Sequence, residues 1–386
     1  MKFLEQIQKH TPVEWKRLGE VANLKRGETI TAKNKTEGNI PVISGGQKPA
    51  YHTAEYNREG ETITIAGSGT AGYVSYWNEP IFVSDAFSVK PNLSILSVRY
   101  VFHFLLKHQG WIYNLKRGAG ISHVYPKDLA NFLIPVPPLR VQQEIVRILD
   151  TFTRLIAELT AELTARKKQY AYYREQLLTF KEGEVKWKRL GEIFDLKNGY
   201  TPSKSNQGYW KDGTIPWFKM EDIRKNGRVL NKSMQYVNSC AVKDGKLFSA
   251  NSIIVSTSAT IGEHALITVP FLSNQRFTNL SLKSEYTNKF LIKFLFYYGF
   301  VLDEWCKNNT TVGNFAGVDM NGFKKFLIPV PPLRVQQEIV RILDKFDTLT
   351  TSISEGLPRE IELRKKQYAY YREQLLTFRG KKEMNK

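Results

Sequence analysis

The sequence predicts an α+β fold: two mixed α/β globular arms separated by two long antiparallel coiled-coil helices, the whole forming a pseudo-two-fold internal repeat. Three observations lead there. The segment IPVPPLRVQQEIVRILD occurs at 134–150 and again at 328–344. A second segment, RKKQYAYYREQLLTF, occurs at 166–180 and at 364–378. Outside these identical blocks the two halves keep one layout while their letters diverge, so the order is arm, helix, arm, helix: 1–131, 132–180, 181–325, and 326–386 with a basic tail.

Each arm opens on the same signpost, WKRLGEVANLKRGETI at 15–30 and WKRLGEIFDLKNGYTP at 187–202. Further along, ITIAGSGTAGYVSY (63–76) answers IIVSTSATIGEHAL (253–266), FVSDAFSV (82–89) answers FLSNQRFTNL (271–280), and YVFHFLL (100–106) answers FLIKFLF (290–296). Short β-branched or aromatic runs punctuated by Gly, Asn and Ser read as strands and turns, with a few helical stretches between them.

The helices follow. Apolar residues fall at Val141, Ile145, Ile148, Phe152, Leu155, Leu159 and Leu163, then at Tyr170, Tyr173, Leu177 and Phe180. The second copy reads Val335, Ile339, Ile342, Phe346, Leu349 and Ile353, then Tyr368, Tyr371, Leu375 and Phe378. Steps of three and four place such residues on one stripe of a helix. Two such helices in one chain most simply pack on each other, so these stripes are the expected helix and partner interface. The IPVPPL lead-in is extended, because each proline disfavours helix in the residue before it. Gly356-Leu357-Pro358 predicts an interruption of the second helix that the first lacks.

Fifty-six Lys and Arg against 37 Asp and Glu give a formal charge of +19 and a pI near 9.6. That excess points to a large polyanion as partner. Two cysteines, Cys240 and Cys306, without a CxxC pair or a histidine at ligand spacing, support neither a zinc site nor a disulfide framework. The start, MKFLEQIQKH, lacks the features of a signal peptide, and no apolar run approaches the roughly 18 residues of a membrane span. A soluble cytoplasmic protein is expected.

Catalytic constellations do not assemble from the letters. GSGTAG (67–72) matches G-x-G-x-x-G, but YVSYW after it reads as a strand where a nucleotide-binding turn needs a helix. No Walker A loop, base-methylation tetrad or HExxH occurs, and His103, on an apolar run, reads as a packing residue. Binding chemistry is richer. Basic and amide residues sit in glycine-containing loops, where Lys and Arg neutralise phosphates and Arg, Asn and Gln pair with base edges. The candidate DNA contacts of the first arm are Lys25, Arg26, Lys33, Lys35, Ser68, Lys116, Arg117, Ser122 and His123. Those of the second are Lys197, Asn198, Tyr200, Lys204, Ser258, Thr260, Asn274, Gln275, Arg276, Asn309 and Thr310.

The alternation of two variable arms with two near-identical helices, the IPVPPLRVQQEIVRILD entry, the WKRLGE openings and the tandem AELTAELTA at 157–165 resemble the specificity subunit of type I restriction-modification systems. The tandem repeat resembles the branch with TAEL repeats in its central helix. The resemblance covers essentially the whole chain. It implies that the arms are target recognition domains, each reading half of a bipartite double-stranded DNA site, while the helices set the spacing and dock two modification subunits. It also implies that S-adenosylmethionine, ATP and Mg belong to modification and restriction subunits and that this chain carries no cofactor and no catalysis. STSATIG in the second arm is similar to the family's S-x-x-A-T-x-G turn, with Ala259, Thr260 and Gly262 in place and Ser258 directly before them, whereas GSGTAGY in the first departs from it. A DNA-modifying enzyme with an unrecognised site, and a helix-scaffolded adaptor that does not bind DNA, are the alternative classes.

Overall fold

The computed structural model describes residues 13–31, 33, 36–118, 120–311, 316–352 and 354–378; Lys35 of the candidate contacts and Ile353 of the second stripe lie outside them. The chain divides into two compact units, residues 1–158 with 362–386, and residues 159–361. The long helices are therefore shared out between the units.

The first unit runs β1 (Glu14–Arg17), α1 (Leu18–Val21), β2 (Ala22–Arg26), β3 (Ile40–Ile43), β4 (Tyr51–Thr53), β5 (Glu61–Ala66), β6 (Val74–Asn78), β7 (Phe82–Val83) and β8 (Ala86–Pro91). Then come α2 (Val98–Lys107), α3 (Gln109–Asn114), α4 (Pro126–Ala130), β9 (Leu133–Val136) and α5 (Leu139–Leu178). The strands form a four-stranded sheet ordered β2-β8-β5-β6, a three-stranded sheet β4-β3-β7 and the pair β1-β9. β5 is covered on both faces, which is why ETITIA reads as a continuous β-branched run. Its Ile63 and Ile65 pack with Tyr100, Val101, Phe104 and Leu105 of α2, while Thr64 on the other face accepts from Trp77 Nε1 at 2.8 Å. Ser97 caps α2 by accepting from the amide of Tyr100.

The second unit repeats this plan with β10 (Lys186–Arg189), α6 (Leu190–Ile193), β11 (Phe194–Asn198), β12 (Ile215–Phe218), α7 (Met220–Asn226), β13 (Val229–Leu230) and β14 (Tyr236–Val237). β15 (Ser252–Ser256), β16 (His264–Ile267), β17 (Leu272–Ser273), β18 (Phe277–Leu282), α8 (Ile292–Asn308), β19 (Thr310–Thr311) and β20 (Gly317–Val318) follow. The remaining elements are α9 (Met320–Lys325), β21 (Leu327–Val330), α10 (Leu333–Thr351) and α11 (Gly356–Leu375). Its sheets are β11-β18-β15-β16-β13, β14-β12-β17, β10-β21 and β19-β20.

The identical letters are identical because they meet each other. β1 pairs antiparallel with β9, setting Trp15 against Pro135, and β10 pairs with β21 in the same register, setting Trp187 against Pro329. Leu18 N then donates to Phe132 O, and Leu190 N to Phe326 O, both at 2.8 Å. Gln142 is fully buried: its Nε2 donates to the carbonyls of Ile95 (2.7 Å) and Pro137 (2.8 Å), and its Oε1 accepts from Ser97 N (2.9 Å). Gln336 does the same with Lys289 O (2.8 Å), Pro331 O (2.9 Å) and Leu291 N (2.9 Å).

Asp150 and Asp344, about two helical turns further on, take partners specific to each arm. Asp150 binds Arg99 and His103; Asp344 accepts from Lys293 Nζ (2.8 Å) and Tyr297 Oη (2.5 Å). His103 is fully buried, with Nε2 2.7 Å from Asp150 and Nδ1 3.0 Å from Tyr368 Oη. Burial lowers its pKa, against the pull of Asp150, so the neutral ring donates to the carboxylate and accepts from the phenol. His103 is thus an anchor within the packing.

Ile145 and Leu149 of α5 join Leu375, Leu376 and Phe378 in the first core, and Phe152 stacks on Tyr371 at 5.2 Å. Ile148, Tyr368 and Tyr371 pack half-buried against that core. In the second unit Tyr170 and Tyr173 stack on Phe346 at 6.0 and 5.4 Å, while Leu177 packs against a core that includes Ile339. Leu155, Leu159, Ile342 and Leu349 are half-buried. The expected interruption lies just before the proline: α10 ends at Thr351, α11 begins at Gly356, and Pro358 sits in its first turn, where no intrahelical donor is needed. Gly356 has φ +73°, and a Cβ there would lie 2.4 Å from Thr348 O.

The glutamine junctions yield a stability prediction. Gln142→Ala and Gln336→Ala each orphan two buried carbonyls and an amide, so each should destabilise its own unit by about 2–4 kcal/mol. Urea unfolding followed by tryptophan fluorescence would check this; midpoints at the wild-type value would show the clamps are dispensable.

Candidate nucleic-acid interface

The turn between β5 and β6 is built like that between β15 and β16, although its letters differ. Gly72 N donates to Ala66 O at 2.8 Å, and Gly262 N to Ser256 O at 3.2 Å. Gly69 and Ala259 occupy the same place with φ +56° and +64°, and Gly72 and Gly262 with φ +87° and +79°. The first arm therefore keeps the turn that its sequence obscured. It feeds β6, so GSGTAG is a hairpin turn and not the opening of a nucleotide-binding helix. Gly69 must be glycine: a Cβ would approach Gly45 O to 2.8 Å.

Two further strands of chain cross this turn. Gly27 N donates to Ala86 O (2.9 Å) and Gly199 N to Phe277 O (2.9 Å); a Cβ at either would fall 2.0 or 2.2 Å from a carbonyl oxygen of the crossing loop, which explains the glycine in both LKRG and LKNG. From the other side, Val124 N donates to Gly67 O (3.1 Å) and Val318 N to Thr257 O (2.9 Å). In the first unit this strap is held by the paired backbones of Arg117 and His123, in the second by β19 and β20.

A groove opens beside each crossing. In the first unit it is about 520 Å³, walled by Arg26, Thr29, Ser44, Asp85, His123 and Tyr125 among others. Arg26 lies 5.6 Å above the Tyr125 ring, which also stacks on His123. Beneath it, buried Arg58 donates to Arg26 O (2.8 Å), Lys25 O (3.3 Å) and Ser88 Oγ (2.7 Å), bracing the end of β2; burial lowers its pKa, with Glu28 opposing. Ser68 donates to Asp85. The other first-arm candidates stand apart. Lys25 pairs with Glu28 at 3.6 Å, Arg117 with Asp128 at 2.7 Å, and Lys116 lies over Tyr113. Lys33 is exposed, and Ser122 is half-buried in the strap.

The second groove, about 440 Å³, gathers Lys204, Thr260, Asn274, Gln275 and Arg276 with Thr201, Trp217, Lys219, Arg224 and Gln235. Five candidates thus converge. Lys219 and Arg224 were not among them: Lys219 immediately precedes α7 and Arg224 lies within it, in a stretch with no counterpart in the first half, so comparing the halves could not mark them. Several candidates spend their polar atoms internally. Tyr200 Oη donates to Ala241 O (3.1 Å), Asn198 Oδ1 accepts from Thr278 (3.1 Å), and Asn309 Nδ2 donates to Trp305 O (2.8 Å). Ser258 pairs with Gly317 through the backbone, while Lys197 and Thr310 are exposed nearby.

Among the described residues, no group of three or more His, Cys, Asp or Glu could hold a metal ion, and no helix is long and apolar enough to cross a membrane. Cys240 is exposed and Cys306 buried, both as free thiols.

Comparison with known proteins matches the chain twice to the family described as the type I restriction modification DNA specificity domain, over residues 12–166 and 182–363. The chain is 37% identical, over 412 aligned positions, to the type I restriction enzyme EcoR124I/EcoR124II specificity subunit of Escherichia coli, covering 98% of this chain and 97% of that one. It is 61% identical over 203 residues to the EcoprrI specificity subunit of Escherichia coli, a match spanning 51% of each chain. In structure it is similar to the crystallised type I restriction-modification S subunit from M. genitalium, with a TM-score of 0.66 at 17% identity over 96% of this chain and 98% of that one.

The shared turn predicts a stabilising substitution. Ala259 carries the strain of a left-handed backbone, about 1–2 kcal/mol, of which glycine returns roughly 0.4–1 kcal/mol to the entropy of the unfolded chain. Ala259→Gly should therefore raise stability by about 0.5–1 kcal/mol in urea unfolding. A lower midpoint would show that the Ala259 methyl contributes more than its backbone costs.

Proposed function

Because the chain belongs to the type I restriction-modification DNA specificity family, its role is target recognition and not catalysis, and we propose that each unit reads one half of a bipartite double-stranded DNA site. One observation carries this reading: two units with the same turn, crossing and strap place different side chains around corresponding grooves. A frame used twice with different contents suits two different half-targets. Lys204 and Lys219 line the second groove and Arg26 the first, giving the cations that DNA backbones require.

Specificity subunits of this family act in complexes with modification and restriction subunits. In our reading, α5 pairs antiparallel with α10 and α11 as a coiled coil related by a pseudo-two-fold, and each end offers one modification subunit the same surface. The repeated Tyr172 and Tyr370, 58% and 59% exposed, suit that role, beside the basic Lys167-Lys168 and Lys365-Lys366. S-adenosylmethionine, ATP and Mg are then work for the partners, in the cytoplasm, where the DNA is.

Two experiments test this. Exchanging residues 12–131 for the corresponding arm of a relative should change one half-site of the methylated motif and leave the other. A chimera that assembles yet changes both would refute the division of labour. The second concerns AELTAELTA, which in our reading belongs to the branch with tandem TAEL repeats in the central helix and sets the spacing. Inserting ELTA after Ala165 adds about 6 Å and about 400° to the helix, only about 40° beyond a full turn, so its buried stripe survives. At about 3.4 Å per base pair, the same half-sites should be methylated with a gap longer by one or two pairs. Methylation at the original spacing would remove the helix as the ruler.

A further inference from the structure

We propose that the loop from β7 to β8 and its counterpart from β17 to β18 are the base-reading elements, Asp85 accepting from the exocyclic amino group of a cytosine in one half-site and Arg276 donating to a guanine in the other. This rests on the DNA-reading role above and assigns residues to it.

The two side chains share one backbone position. Gly67 N donates to Asp85 O at 3.0 Å, and Thr257 N donates to Arg276 O at 3.0 Å, from equivalent places in the shared turn. Upstream, Ser84 N donates to Ile43 O (2.8 Å) and Asn274 N to Phe218 O (3.0 Å), so both loops are pinned at both ends. Between those pins the second loop has one residue more, and a letter-by-letter comparison of FVSD with FLSN sets Asp85 against Asn274 and hides the charge reversal.

Neither charge is spent inside the protein. Both residues are exposed at their grooves, and among the described residues neither forms an ion pair. Among the described residues the Asp85 carboxylate accepts from the Ser68 hydroxyl alone, at Oδ2, leaving Oδ1 open. Arg276 makes no side-chain hydrogen bond among the described residues, and Asn274 Oδ1 accepts from its backbone amide at 3.0 Å, fixing the direction in which it leaves the loop. Thr201 donates to Gln275 Oε1, which leaves the Gln275 amide donors facing outward beside the guanidinium.

An unpaired carboxylate facing DNA repels phosphate, so it suits a base edge that offers a donor. In the major groove cytosine presents its N4 donor with no acceptor of its own beside it; adenine sets N7 beside N6, guanine shows only acceptors, and thymine shows O4 and a methyl. Asp85 therefore selects cytosine and rejects the others by repulsion as well as by lost bonding. Arg276 has the complementary fork, two parallel donors for guanine O6 and N7.

The test uses the full chain assembled with its modification subunits, the wild-type motif read from methylated DNA, and duplexes altered at one base pair at a time. Arg276→Gln should weaken binding to the cognate duplex roughly 5- to 100-fold, and leave unchanged the affinity for the duplex altered at one G·C pair of one half-site. Asp85→Asn should do the same at one C·G pair of the other half-site. Equal loss on every duplex with a salt slope shallower by about 0.9 would make Arg276 a phosphate contact and overturn the assignment while leaving DNA reading intact. Wild-type discrimination in both variants, or both variants acting on the same half-site, would also overturn it. A wild-type complex with no sequence preference would overturn the recognition role itself.

Discussion

The arrangement of each unit depends on a buried amide that has no freedom to change. Gln142 and Gln336 stand where the extended lead-in turns into a helix, and each ties together the lead-in, the helix and the segment that precedes the arm's own helix. A buried polar group with all its partners rigidifies its surroundings, and with one missing it is expensive. The junction is therefore fixed to the letter, and the loops at the far side of each sheet are free to vary. Constancy and variability are both products of where the polar atoms are buried.

Asp150 and Asp344 soften that rule in an instructive way. The acid is the same, yet one arm answers it with Arg99 and His103 and the other with Lys293 and Tyr297. Any arm whose helix offers a donor pair four residues apart can seat itself on the same carboxylate. An invariant helix is thereby compatible with arms of different composition.

Much of this was legible in the letters because duplication supplies its own comparison. The paired signposts, the stripes of Ile145, Phe152, Tyr170 and Phe346, and the interruption near Pro358 all follow from periodicity or from proline chemistry, and the observed interruption is displaced only to the residues just before Gly356. What was hidden had a physical reason in each case. Gly69 and Ala259 look unrelated, but both hold a left-handed backbone in the same turn, with room for a methyl group only at the second. Lys219 and Arg224 lie at the start of and within an element that only one half possesses. Arg58, which the letters do not single out, is a buried brace, and Asn198, Tyr200 and Asn309 each place a polar atom in a hydrogen bond within the protein. Residue type announces hydrogen-bonding capacity; only the fold decides whether that capacity is used inward or outward.

The first unit is assembled from residues 1–158 and 362–386, and its core includes Leu375, Leu376 and Phe378. During synthesis the ribosome makes the entire second unit before it delivers those side chains, a delay of roughly 10–40 s at about 5–20 residues per second. Through that interval the earlier-made half waits with an apolar cleft uncovered, while the later-made half can already close. The order of completion is therefore the reverse of the order of translation, and the nascent chain's period of vulnerability to aggregation is set by the length of the insertion.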